Sequence, residues 1–172
     1  MLFEKKFIPD CRLSSFKEAD PAYLKSLGAS AVICDIDNTL APYETLDAPD
    51  EVVRWVMQLE SADISLTLVS NNKEDRVARF NERLGCRAYS SVKKPSVKYL
   101  KKAMKEMGSG KDDTVFLGDQ LLTDALAAHR AGIRAIIVPP IKDKPSLFFK
   151  FKRALERPFL RKYDKMHRED AK

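Results

Sequence analysis

Four short apolar, β-branched runs and a weaker fifth, separated by segments of helical spacing, constrain this chain more than any other feature. Ser30 to Asp35, Ile64 to Val69, Thr114 to Leu117 and Ile133 to Val138 have the length of buried strands, and Arg87 to Ser90 is a shorter candidate. Between them, Asp47 to Leu59 reads as a helix with Val52, Val53, Val56 and Leu59 on one face. Lys73 to Leu84, Ser96 to Met107 and Thr123 to Ala131 read the same way, stopped by Gly85, Gly108 and Gly132. Another helix precedes the first strand, with Asp20 as cap, Pro21 at its first position and Gly28 as stop. This alternation predicts an α/β fold: a three-layer, doubly wound parallel sheet of about five strands. Ligands bind such sheets beyond the carboxyl ends of the strands, where the strand order reverses.

Composition narrows the class. With 172 residues, 44% hydrophobic and 33% charged, the chain is sized for one globular domain rather than a repeat array or a disordered segment. No apolar run approaches the ~20 residues of a membrane span, and Met1 to Asp10 lacks the apolar core of a secretory signal, so a cytoplasmic location is expected. Cys11, Cys34 and Cys86 are isolated and odd in number, which removes a disulfide framework or CxxC site; Cys34 reads as a small buried hydrophobe. Trp55 reads as packing, and His129 and His167 as structural or surface residues. The net charge of +6 points to an anionic partner. It is unevenly placed: residues 1–141 hold 20 basic and 20 acidic residues, whereas 142–172 hold 11 and 5.

The acidic residues cluster at strand exits. Asp35-Ile36-Asp37-Asn38-Thr39 follows the first strand, and Gly118-Asp119 through Thr123-Asp124 follows the fourth. Like charges at the end of a buried strand raise one another's pKa unless a cation or proton intervenes. If the two strands are neighbours, Asp35, Asp37 and Asp119 converge as hard oxygen ligands suited to Mg²⁺, while the distant histidines make Zn²⁺ a poor choice. After the second strand, Val69-Ser70-Asn71-Asn72 offers a hydroxyl and backbone N–H groups at a helix start, a site for phosphate. Lys93-Lys94 before Pro95 adds a cation. Each element also has a plainer reading: Thr123 and Asp124 as a helix cap, Asn71 and Asn72 as caps, the lysines as solvated charge.

Taken together, DIDNT after the first strand, Ser70 after the second, a later lysine before proline and GDQLLTD after the fourth resemble the haloacid dehalogenase superfamily. The resemblance implies an aspartyl-phosphate mechanism, with Asp35 as nucleophile and Asp37 as the acid and base serving the leaving oxygen and the water. It implies Mg²⁺ held by the Asp35 carboxylate, the Asp37 carbonyl and Asp119, phosphate bound by Ser70 and the Asn71 N–H, and Lys94 bridging Asp35 and the phosphate. Asp124 would steady the metal's surroundings rather than the ion itself. Leu40 to Ile64 and Ser70 to Lys94 leave no room for a separate cap domain. The site is therefore expected to be open, with water exclusion left to a bulky substrate, a partner or self-association. The start FEKKFIP (Phe3 to Pro9), with DIDNTL, LVSNN, KKP and GDQLLTD, further resembles the bacterial YqeG-type phosphatases, which are similar to mitochondrial phosphatidylglycerophosphate phosphatases. That makes a phosphorylated lipid head group the leading substrate; nucleotides, sugar phosphates and nucleic-acid ends are the alternative. A non-catalytic, partner-binding role is a third.

The division expected is a phosphatase domain over 1–141 and a basic amphipathic tail over 142–172. In the tail, Leu147, Phe148, Phe151, Ala154, Leu155 and Phe159 recur at helical spacing among Lys150, Lys152, Arg153 and Arg157, with Pro158 expected to interrupt the helix. Three roles stay open: packing on the core, lying on an anionic membrane at its inner face, or meeting a nucleic-acid or protein partner, nucleic acid being less favoured than membrane.

Overall fold

The computed structural model describes residues 5–142 and 146–169; Phe3 and Glu4 of the basic-aromatic start, and residues 143–145 and 170–172 of the tail, lie outside them. The strands are β1 (Cys11–Arg12), β2 (Ala31–Cys34), β3 (Ser65–Val69), β4 (Arg87–Tyr89), β5 (Thr114–Gly118) and β6 (Arg134–Ile137), forming one sheet in the order β1-β6-β5-β2-β3-β4. Every pairing is parallel. The sheet thus has six strands rather than about five. The added strand, β1, is a two-residue edge pairing Cys11 with Ile136 and Arg12 with Ile137, too short to leave an apolar run in the sequence.

Alternation along the strands builds the three layers, because successive side chains point to opposite faces. Val32, Cys34, Val115, Leu117 and Ile136 join one core cluster with Leu24 of α1 (Pro21–Ser26), Trp55 and Leu59 of α2 (Asp50–Ser61), and Phe80 of α3 (Glu74–Asn81). Ile33, Phe116, Ala135 and Ile137 join the other, with Leu100 and Met104 of α4 (Lys98–Met107) and Ala127 and Ala131 of α5 (Leu126–Ala131). Trp55 donates its indole N–H to the Ala19 carbonyl, 2.8 Å, so it packs as expected.

Helix ends follow local chemistry. Asp20 caps α1 through the Tyr23 N–H, 2.8 Å, with Pro21 at the first position. The second helix starts at Asp50 rather than Asp47, since Pro49 disfavours helical backbone at Ala48. The last helix, α6 (Leu147–Glu169), runs through Pro158 instead of stopping there. Both Pro158 and Ala154, whose carbonyl loses its helical partner, face solvent, so the missing hydrogen bond leaves no buried polar group behind. Phe159 and Leu160 of α6 pack against the second core cluster, and the Phe159 ring lies tilted against Phe7, centroids 5.1 Å apart. Among the described residues no helix is long and apolar enough to cross a membrane.

Candidate active site

The chain reverses direction across the sheet at β2, whose neighbours are β3 and β5. Cys34 pairs with Leu117, and the Asp35 N–H donates to the Leu117 carbonyl at 2.9 Å, so Asp35 and Asp119 leave the sheet side by side. Asp124 joins them: Asp35, Asp119 and Asp124 are all buried, and each offers a carboxylate oxygen within 4.8 Å of the others. Lys94, 7% exposed, enters from the loop after β4 with its Nζ 2.7 Å from Asp35 Oδ1 and 2.9 Å from Asp124 Oδ1. Lys93 faces solvent.

Two local devices hold this floor. A Cβ at Gly118 would sit 2.5 Å from Asp124 Oδ2, so only glycine lets the β5 exit approach that carboxylate. Asp124 Oδ2 accepts the N–H groups of Asp119 and Gln120, both 3.1 Å. The turn carrying Asp124, Leu121–Ala125, is a single π-helical turn leading into α5; such turns recur at functional sites. The helix expected from Thr123 therefore begins two residues earlier. On the other side, the Asn71 side chain accepts the Lys94 N–H at 2.7 Å and fixes the lysine's backbone.

Asp37 lies apart from this cluster. Its carboxylate accepts from the Ser70 hydroxyl at 3.4 Å, the Asn72 side-chain amide at 3.3 Å and the Arg76 guanidinium at 3.2 Å. Ser70 is buried, and its Oγ also accepts the Asn72 N–H at 3.0 Å. Arg76, on α3, is one of many charged residues in its segment, and no sequence signal singles it out.

Burial lifts the Asp35 carboxyl well above the usual carboxylate range; Lys94 opposes this, while Asp124 and Asp119 add to it. Burial and the charge of Asp124 push Asp119 up to about 7 against the pull of Arg153. Burial works against the Lys94 ammonium, yet Asp124 and Asp35 outweigh it and raise its pKa. The cluster carries more negative than positive charge in a dry environment, the condition under which a divalent cation binds well. The donor set fits such an ion, being all oxygen, and Asp119 Oδ1 is buried with no hydrogen-bond partner among the described residues.

The open site expected from the missing cap domain is partly covered by the chain's own tail. The cleft above Asp35, about 330 Å³, is lined by Asp37, Ser70, Asn71 and Lys94, but also by Tyr43, Phe149 and Lys152. Lys152 Nζ lies 3.3 Å from Gln120 Oε1. Arg153 pairs with the Asp119 carboxylate, donates to the Asp119 carbonyl at 2.7 Å, and pairs with Glu156 at 2.9 Å. Glu156 is buried and accepts the Leu122 N–H at 3.2 Å. Sequence reasoning placed these residues on an amphipathic helix without the site it faces. An acid among the basic residues, Glu156 three after Arg153, is the one available signal of an inward-facing pair.

A family model described as haloacid dehalogenase-like hydrolase matches residues 16–138, which contain every strand from β2 to β6 and both acidic exits. The chain belongs to the haloacid dehalogenase-like hydrolases. It is 34% identical over 159 residues to a Bacillus subtilis protein named "Probable phosphatase YqeG", covering 92% of each chain. Among solved structures, the fold resembles the cobalt-bound deoxy-D-mannose-octulosonate 8-phosphate phosphatase of Haemophilus influenzae, with a TM-score of 0.55 and 17% identity over 82% of this chain and 92% of that one. An uncharacterized Listeria monocytogenes protein is similar at a TM-score of 0.53 and 17% identity, covering 68% and 84%. The haloacid dehalogenase-like fold ends near residue 138 in the match, so α6 is an addition to the matched region.

Proposed function

We propose that this haloacid dehalogenase-like phosphatase hydrolyses phosphate monoesters through an aspartyl-phosphate on Asp35. The observation that carries the reading is the buried Asp35 with Lys94 Nζ at 2.7 Å, facing a cleft whose other wall is Ser70 and Asn71. An Asp35 oxygen attacks phosphorus as the bond to the leaving oxygen breaks, and Asp37 donates a proton to that oxygen. Asp37 then takes a proton from water, which attacks phosphorus and frees Asp35 and inorganic phosphate. Ser70 and the Asn71 N–H bind the phosphate oxygens, and Lys94 spans Asp35 and the phosphate. Asp35, Asp119 and the Asp37 carbonyl are the residues to hold Mg²⁺, which when bound neutralises charge on the transferring group. Asp124 positions Lys94 and the Asp119 backbone.

The substrate we favour is phosphatidylglycerophosphate, in phospholipid synthesis. Support comes from the similarity to the YqeG-type phosphatase and from the outward face of α6, where Leu147, Phe151, Leu155 and Met166 are exposed beside Arg161, Lys162 and Lys165. Such a face suits peripheral contact with an anionic membrane at its inner side. In this division residues 1–141 carry the chemistry and 142–172 the membrane-facing tail. The test is phosphate release from an aryl phosphate, phosphatidylglycerophosphate in mixed micelles, and soluble nucleotide and sugar phosphates, with Mg²⁺ or EDTA. Wild type should require Mg²⁺ and prefer the lipid, and Asp35→Asn should lose about 10⁴-fold in rate. Undiminished turnover by Asp35→Asn would sink the mechanism, and preference for soluble phosphates would displace the lipid.

A further inference from the structure

A second cavity, about 470 Å³, lies between α6 and the loop leaving β6, and it borders the catalytic cleft. Phe149 lines both spaces, and Asp119 lines the second cavity from below. Its floor is apolar, from Leu121, Ile137, Val138 and Pro139, and Leu160 of α6 adds to it from the helix side. Along its wall run Lys150, Arg153 and Arg157, spaced at i, i+3 and i+7 so that they form one stripe of the helix. Arg153 is committed to Asp119 and Glu156, whereas the side chains of Lys150 and Arg157 make no ion pair among the described residues.

From this arrangement we infer that the cavity is a subsite for an anionic amphiphile, the leaving-group end of the substrate, with its second negative charge on Lys150 and Arg157 and its hydrocarbon on the apolar floor. The inference rests on the phosphatase reading of the adjoining cleft and gives that cleft its selectivity. Cations beside hydrocarbon favour this ligand over the alternatives. A small hydrophilic anion leaves the floor wet, and a neutral apolar ligand makes no charge-assisted hydrogen bond to the two solvent-exposed cations. The volume lies within the range of sites for medium-sized organic ligands. Phe149 lines both spaces, and Asp119 of this cavity belongs to one buried cluster with Asp35 of the cleft, so a ligand that passes Phe149 reaches from one to the other. The helix thereby does for this chain what an inserted domain does for an enzyme with a larger lid: it contributes side chains that contact the part of the substrate that does not react.

The experiment separates this subsite from the chemistry by using a ligand with no phosphate monoester. Full-length protein is titrated calorimetrically with dihexanoyl phosphatidylglycerol below its micelle concentration, and with glycerophosphoglycerol, octyl glucoside and inorganic phosphate. Dihexanoyl phosphatidylglycerol should bind at least about tenfold more tightly than the other three, since each lacks either the charge or the hydrocarbon. The pair Lys150→Glu with Arg157→Glu should weaken it about 10- to 100-fold, while the pair Lys101→Glu with Lys105→Glu on α4, the same charge change away from the cavity, should leave it unchanged. Val138→Phe, which fills the floor without touching charge, should weaken it similarly. Equal binding by wild type and the double variant, or no binding by wild type, would overturn the subsite. Failure of the phosphatase reading shows separately, as absence of phosphate release from the aryl phosphate in a protein that still binds the lipid.

Discussion

Asp35 and Asp37 are two residues apart in the chain and sit in opposite surroundings. Asp35 belongs to a floor of buried charges in which Lys94 pairs with it directly and Asp119 and Asp124 crowd it. Asp37 belongs to a half-buried rim, held by a hydroxyl, an amide and a guanidinium on elements that follow β3. The floor is a place where negative charge is costly without a cation, and the rim is a place where a carboxyl group is reachable from the cleft. The difference matches two jobs, one group that forms a bond to phosphorus and another that moves a proton, and it comes from the strand exits rather than from the residue type.

The sharpest break of this comparison is Lys94→Ala. Removing the cation from the floor leaves Asp35 and Asp124 buried without their partner, and unfolding in urea should show a loss of about 3–5 kcal/mol. A loss no larger than that of an exposed lysine would mean the floor is wetter than its burial indicates. Next, Asp37→Asn should keep the fold at a cost of about 1–3 kcal/mol, since all three rim partners donate and an amide offers them only one acceptor oxygen, while phosphate release drops about 100- to 1,000-fold. A full rate in that variant would assign the proton transfer elsewhere.

The smallest effect is in the pH dependence of stability. Asp119 is pushed up to about 7, and Asp35 is raised in the same direction. A carboxyl group with a higher pKa folded than unfolded binds more protons in the native state between the two values. Stability of the EDTA-treated protein should therefore fall as pH rises from about 4 to about 7. Mg²⁺ should flatten that slope by stabilising the charged forms, measured as the melting temperature across the same range. A flat EDTA profile would show that the floor carboxylates are not perturbed as a group.

Much of the fold was legible in the sequence, because a buried strand and an amphipathic helix each leave a local period. The elements that were misplaced are those without one. Two-residue β1 is defined only by its partner β6, and the start of α2 was set by Pro49 rather than by the apolar face. The site was legible in the same measure: the acidic exits, Ser70 and Lys94 stand directly after strands, where topology gathers them. Arg76 and Arg153 were not, since a charge on a helix has the same sequence signature whether it faces water or a carboxylate.

By itself the sequence determined the parallel α/β sheet, the strand ends at which acids collect, and the concentration of excess positive charge after residue 141, because each is a matter of local period or composition. Only the tertiary structure decided that Asp124 rather than Asp37 shares the floor with Asp35 and Asp119, and that the tail turns back to set Phe149, Lys152 and Arg153 around the site. Those are pairings between residues far apart in the chain. They depend on which strand lies beside which and on where a helix docks, and no window along the sequence contains both partners.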